Sequence, residues 1–281
     1  MTALPAKPSS LKEVAGTIVL IGAGKMGSAM LDGWIGLGLD PSRVAVIEPQ
    51  PTPEISALAA RGLKLNPEPR AVPDPAVIVI AVKPQVAAEV VPAAAPLVGR
   101  STVVVSIMAG QRVASLERAL PAGSAIVRTM PNTPAAIGRG ITVAVANTRV
   151  SPPQRDLAHR LLAAIGAVEW VDDEALLDAV TAVSGSGPAY VFLLAEALAQ
   201  AGAAAGLPAD LAERLARATV AGSGELLHRS ALEAPILRRN VTSRGGTTEA
   251  ALAVLMGQDG LVSLMRRAVD AATRRSRELA G

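Results

Sequence analysis

The chain has 281 residues, half of them apolar, with 27 basic and 24 acidic side chains and a net charge of +3. That length holds one large domain or two, and the core must be built from Ala, Val, Leu and Ile, because Trp34, Trp170, Tyr190 and Phe192 are the whole aromatic complement. Having no cysteine excludes disulfides and cysteine metal sites, and His159 and His228, each beside charged neighbours on a predicted helix, argue against a histidine metal site or a Ser-His-Asp triad.

Residues 1–16 contain Pro, Ser and Lys but no charged-then-apolar leader, so they read as a flexible tail and the cytoplasm is the expected location. Thr17 to Ile21 then reads as an aliphatic strand that runs into Gly22-Ala23-Gly24-Lys25-Met26-Gly27 and a helix to about Leu37. In a strand–turn–helix of this kind the first glycine makes the bend. The second lets a pyrophosphate approach the backbone, and the third lets helix and strand pack closely. The first amides of the helix face the phosphates, so Gly22 to Gly27 is the candidate dinucleotide turn; the bland reading is a structural glycine turn.

A second strand, Arg43 to Glu48, ends in a carboxylate about twenty residues past the last glycine, where an acidic residue bonds the adenine ribose hydroxyls of NAD. A 2′-phosphate would meet like charge there, so Glu48 favours NADH over NADPH. The other reading is a solvent-facing glutamate at a strand end. Pro49, Pro51 and Pro53 stop the strand, and a helix follows to about Arg61. Ala76 to Val82 and Thr102 to Ile107 are continuous apolar runs, the pattern of parallel strands buried on both faces. The first ends at Lys83-Pro84 and leads to a helix from Ala87 to Leu97; the second ends at Met108-Ala109-Gly110. Strands follow at Ala125–Met130, Ile141–Ala146 and Ala167–Val171, with a helix from Pro153 to Ile165. Alternation of this kind gives an α/β doubly wound sheet of Rossmann type over 17–172, with Ala81, Val82, Lys83, Ala109, Gly110 and Asn132 at the same sheet edge as the glycine turn. Asn132, between Pro131 and Thr133-Pro134, also reads as part of a rigid turn.

From about Asp173 the alternation stops, and 173–281 reads as an all-α second domain. Pro188 to Ala205 is apolar on nearly every face, broken only by Glu196 and Gln200. Its alanine content and its glutamate argue against a membrane span, and a small helical domain cannot bury it alone, so a partner subunit is its expected cover. Helices follow at Ala209–Leu227 and Leu261–Leu279. Arg266, Arg267, Arg274, Arg275 and Arg277 make the last one basic, but no aromatic is interleaved for stacking, so no nucleic-acid partner is expected. Between these helices, Ser243-Arg244-Gly245-Gly246-Thr247-Thr248 precedes a helix beginning near Ala250. It reads as an anion nest holding a carboxylate on the Gly246–Thr248 amides beside the Ser243 and Thr248 hydroxyls; an ordinary threonine cap is the alternative.

Taken together, Ile21–Gly27, Ala81–Pro84, Ser106–Gly110, Arg128–Pro134, Asp178–Tyr190 and Val241–Thr248 resemble the Δ1-pyrroline-5-carboxylate reductase family from about Thr17 to Leu279. The resemblance implies reduction of that cyclic imine to L-proline with NADPH or NADH. It also implies a Rossmann domain followed by a helical substrate and dimerisation domain, a homodimer, and often a decamer. It places the substrate against Ser243, Gly246, Thr247 and Thr248, with the Thr248 hydroxyl beside the ring nitrogen in the catalytic position. Two residues depart from the family pattern: Glu48 stands where NADPH users carry a hydroxyl, and Arg244 replaces a proline. The inventory agrees with the chemistry, since an iminium is already electrophilic and needs orientation and charge matching more than a histidine base. A hydroxyacid or ketopantoate-type dehydrogenase would want a lysine or histidine for the alcohol proton, and the helical half has no lysine. A cofactor-sensing scaffold without catalysis would not need an intact Ser243–Thr248 turn.

Overall fold

The computed structural model describes residues 9–280. They fall into two compact units, one of residues 9–185 with 273–280, the other of residues 186–272. The first unit runs β1 (Ile18–Ile21), α1 (Lys25–Gly36), β2 (Val44–Ile47), α2 (Pro53–Ala59), β3 (Lys64–Leu65), β4 (Val77–Ile80), α3 (Ala87–Ala94), β5 (Val103–Ser106), α4 (Val113–Ala119), β6 (Ala125–Met130), β7 (Gly140–Ala146), α5 (Pro152–Ala163), β8 (Gly166–Trp170) and α6 (Leu176–Val180). The sheet order is β3-β2-β1-β4-β5-β6-β7-β8, parallel throughout except that β6 and β7 are antiparallel.

The continuous apolar strands are explained by burial on two faces, because successive side chains alternate sides. Leu20, Val46, Val79, Val105 and Val127 point to one face, where α1 and α5 contribute Met30, Trp34 and Leu161. Ile21, Ala45, Ile78, Ile80, Val104 and Ile126 point to the other, under Val91, Leu97 and Leu116. Trp34 is completely buried, and its indole N–H donates to the Leu161 carbonyl at 2.9 Å, so the largest side chain in the core leaves no unpaired polar atom.

Register decides where a ligand can sit. Ile21 is level with Ile47 on one side and Ile80 on the other, and Ile80 is level with Ser106. The residues that follow, Gly22, Glu48, Ala81 and Ile107, therefore leave the sheet in one row at its carboxyl edge. The strand order reverses at β1, between β2 and β4, which makes this edge the topological switch point where such sheets hold ligands.

The expected tail needs correcting in part. Residues 1–8 lie outside the described residues, whereas Leu11 and Val14 are buried in the sheet unit's core and the Leu11 N–H donates to the Leu37 carbonyl at 3.0 Å. Two apolar side chains three residues apart are enough to pin that segment. At the other end of this unit, Arg128 of β6 is 5 % exposed and pairs with Glu174 at 2.7 Å, and the same carboxylate oxygen accepts from the Val113 N–H at 2.8 Å.

The helical unit contains α7 (Gly187–Ala204), α8 (Ala209–Arg229), α9 (Ala234–Asn240), α10 (Thr247–Leu255) and the beginning of α11 (Leu261–Leu279). α7 and α8 pack closely: a Cβ on Gly202 would stand 3.3 Å from that of Ala212. Yet no residue of α7 is buried within the chain, and Phe192, Leu193, Leu194 and Leu198 lie exposed. The all-round apolar pattern had predicted burial; the chain by itself does not provide it. Residues 273–279 of α11 belong to the sheet unit, where Ser276 donates to the buried Asp178 carboxylate at 2.7 Å and Leu279 lies near Gly110.

Candidate functional site

The three glycines of the first turn have separable roles. Gly22 has φ 88°, and a Cβ there would meet the Ala81 carbonyl oxygen at 2.8 Å, so the bend requires glycine. On Gly27 a Cβ would stand 2.2 Å from the Gly22 carbonyl oxygen, which fixes how closely α1 rides on the turn. Around Gly24 nothing lies within 4 Å of the same hypothetical atom. Its backbone is open, as a residue approached by a pyrophosphate must be. Gly24 is also the cap of α1 and has no side chain to occupy the first-turn amides.

Beside this turn lies a groove of about 520 Å³ bordered by Gly22, Gly24, Glu48, Ala81, Val82 and Lys83. Six residues predicted from separate stretches of sequence thus meet at one place. Ala23 joins them through its N–H, which donates to Glu48 Oε2 at 2.8 Å. Glu48 Oε1 accepts from the Gln50 N–H at 3.0 Å, so both carboxylate oxygens are engaged and the side chain lies against the glycine turn. The opposite wall is apolar, with Val86, Val90 and Ala93 at one-face helical spacing on and just before α3, a surface suited to a flat base. Glu48, Lys83 and Glu89 are the charged residues along the groove.

Not all predicted residues border the groove. Lys25 is exposed in the first turn of α1, and Met26 packs against the core. Ala109 and Gly110 stand farther along the sheet edge, where a Cβ on Gly110 would come 3.2 Å from the Leu279 carbonyl oxygen. The Asn132 side chain accepts from the Ile141 N–H at 2.9 Å and so anchors the entry to β7. The sequence reading missed Asn66, which holds the backbone of Glu48; the Asn66-Pro67 pair signals a turn in the sequence but not this contact.

In the helical unit, Ser243 to Thr248 forms a tight turn into α10. Gly245 has φ 71° and donates to Glu249 at 2.7 Å, while the Gly246 N–H donates to the Ser243 carbonyl at 3.1 Å. Two of the turn's amides are therefore occupied within it. The expected nest shrinks to the Thr247 and Thr248 amides, which lie in the first turn of α10 where N–H groups have no intrahelical acceptor. The helix starts at Thr247, three residues earlier than predicted. Thr248 is half-buried, Ser243 is exposed, and a Cβ on Gly246 would press to 3.1 Å on Ser243 Oγ.

Among known proteins, the family described as pyrroline-5-carboxylate reductase dimerisation matches residues 174–279, and that described as NADP oxidoreductase coenzyme F420-dependent matches residues 17–110. A pyrroline-5-carboxylate reductase of Pseudomonas aeruginosa is 41 % identical over 266 residues, covering 94 % of this chain and 96 % of that one. A solved pyrroline-5-carboxylate reductase from Coxiella burnetii superposes with a TM-score of 0.87 at 34 % identity, covering 95 % of this chain and 99 % of that one. A pyrroline carboxylate reductase from Plasmodium falciparum, solved with NADP bound, gives a TM-score of 0.79 at 28 % identity over 95 % and 98 % of the two chains.

Proposed function

The chain belongs to the pyrroline-5-carboxylate reductase family, and from that premise we propose which of its residues carry the reaction. It is an NAD(P)H-dependent reductase that converts Δ1-pyrroline-5-carboxylate to L-proline, the last step of proline biosynthesis. The observation that carries the residue assignment is the contrast at the glycine turn: open backbone at Gly24, closed packing at Gly22 and Gly27.

The turn amides and the start of α1 hold the pyrophosphate, with Lys83 supplying countercharge and Ala81 and Val82 lining the path along the sheet edge. Glu48 meets the adenine ribose. Bound NAD(P)H supplies the hydride. In the helical unit the Thr247 and Thr248 amides receive the substrate carboxylate, and Ser243 adds a hydroxyl. The Thr248 hydroxyl oxygen accepts from the iminium N–H and keeps that bond as the nitrogen becomes an amine. The proton on nitrogen comes from solvent before hydride arrives, so no side chain has to act as general acid.

The assembly is a homodimer covered along α7, with the decamer as the further assembly the resemblance implies. Its support is that Leu176–Ala204, the one stretch among the described residues long and apolar enough to cross a membrane, lies inside the region matched to the dimerisation family. A second subunit is a better cover than lipid for a helix so rich in alanine, and the cytoplasm is the location proposed with it. Incubating purified protein with the imine and NADH or NADPH, following loss of the reduced nicotinamide absorbance and identifying proline, tests the reading. Pyruvate and ketopantoate should give no turnover, and an inert imine with both nucleotides would overturn it.

A further inference from the structure

Asn66 follows directly after β3, with φ 48°, in the left-handed region that asparagine tolerates better than most residues. Its side-chain Oδ1 accepts from the Glu48 N–H at 2.8 Å, and its Nδ2 donates to the Glu48 carbonyl at 3.0 Å. Its own N–H donates to the Val46 carbonyl at 2.8 Å. The amide thus imitates a neighbouring strand for one residue beyond the point where β3 ends. Glu48 is then held twice: its backbone by Asn66, its two carboxylate oxygens by the Ala23 and Gln50 amides at 2.8 and 3.0 Å.

A free glutamate samples several rotamers and can turn aside from an incoming phosphate. A clamped one cannot. Each carboxylate oxygen has about two acceptor positions, so with one amide on each there is still room to accept from ribose hydroxyls. A 2′-phosphate brings only acceptors and further negative charge to the same place, where Glu89 already adds a second carboxylate to the groove.

We propose that Asn66 is a positioning residue for nucleotide choice: by clamping the end of β2 it fixes the Glu48 carboxylate against the glycine turn, so that the enzyme prefers NADH over NADPH. This rests on the ribose-facing role of Glu48 stated above. Asn66 touches no reacting atom and acts entirely through Glu48.

The test is one variant in two backgrounds, read as the NADPH/NADH ratio of kcat/KM with the imine substrate. Asn66→Gly deletes both side-chain bonds while suiting the positive φ. The ratio should move toward NADPH by about two- to fivefold, carried by KM for the nucleotides. In a Glu48→Ser background the same change should move it by less than about 1.5-fold, because there is no carboxylate left to position. A strand clasp with no part in selection would lower stability and both kcat/KM values together, so an unmoved ratio overturns the proposal. So does an equal shift in both backgrounds, and so does a parent enzyme that prefers NADPH, whatever the variants do. If Glu48→Ser alone leaves the ratio fixed, the ribose-facing reading fails first, and a parent inert with both nucleotides overturns the reductase reading instead.

Discussion

Adding one methyl group at Gly24 and at Gly27 should separate binding from folding. On Gly27 the new Cβ would stand 2.2 Å from the Gly22 carbonyl oxygen, a backbone atom that cannot rotate away. Overpacking of this kind costs about 1–3 kcal/mol, and a backbone clash belongs at the upper end. Alanine returns about 1 kcal/mol of helix propensity. The net loss is about 2 kcal/mol, a fall in Tm of about 4–8 °C for a domain of this size. At Gly24 the methyl meets nothing within 4 Å. The mild loss of cap preference is offset by a stiffer unfolded chain, so stability should change by less than about 0.5 kcal/mol. The methyl does stand where the pyrophosphate must approach, and NADH affinity should fall at least about tenfold, or 1.4 kcal/mol. Scanning calorimetry reads the first quantity and isothermal titration with NADH the second. Should Gly24→Ala bind NADH like the parent, the pyrophosphate does not lie on this turn; should Gly27→Ala match the parent's Tm, the close packing of α1 is not as described.

Thr248→Ala should lower kcat/KM for the imine by about ten- to a hundredfold while NADH affinity stays put, and Thr248→Ser should restore most of it. A serine variant as poor as alanine would mean the hydroxyl is not the working group. Leu198→Arg, on the exposed face of α7, should yield monomers or aggregates by light scattering; a stable parent monomer at micromolar concentration would refute subunit cover. Glu174→Ala leaves the Arg128 cation buried without its partner, and because Glu174 itself is 29 % exposed the loss should be about 2 kcal/mol in urea unfolding.

The sheet was legible because its strands are nearly pure Val, Ile and Ala runs bounded by Gly and Pro, and α11 was legible end to end from its mixed apolar and arginine pattern. Shorter pieces were not. β3 spans two residues, too few for any period, and α4 has no capping side chain at Arg112. The antiparallel β6–β7 pairing follows from a short return through residues 133–137, which as sequence reads only as a proline-bounded turn. In the site, Gly22, Gly24 and Glu48 were legible through spacing. Asn66 was not, because its contribution is a side chain acting as backbone, visible only once β2 and β3 are side by side. The Gly246 amide was misjudged for a related reason: a turn can consume its own donors, and sequence does not say which.

The end of α11 carries a consequence for how the protein is made. Ser276 reaches back 98 residues to the buried Asp178, and Leu279 lies near Gly110. During synthesis at about 5–20 residues per second, Asp178 must wait roughly 5–20 s for its partner to be translated. Until then the carboxylate stays hydrated and that corner of the sheet unit stays open. The sheet unit is therefore not complete until the last turns of α11 have been made.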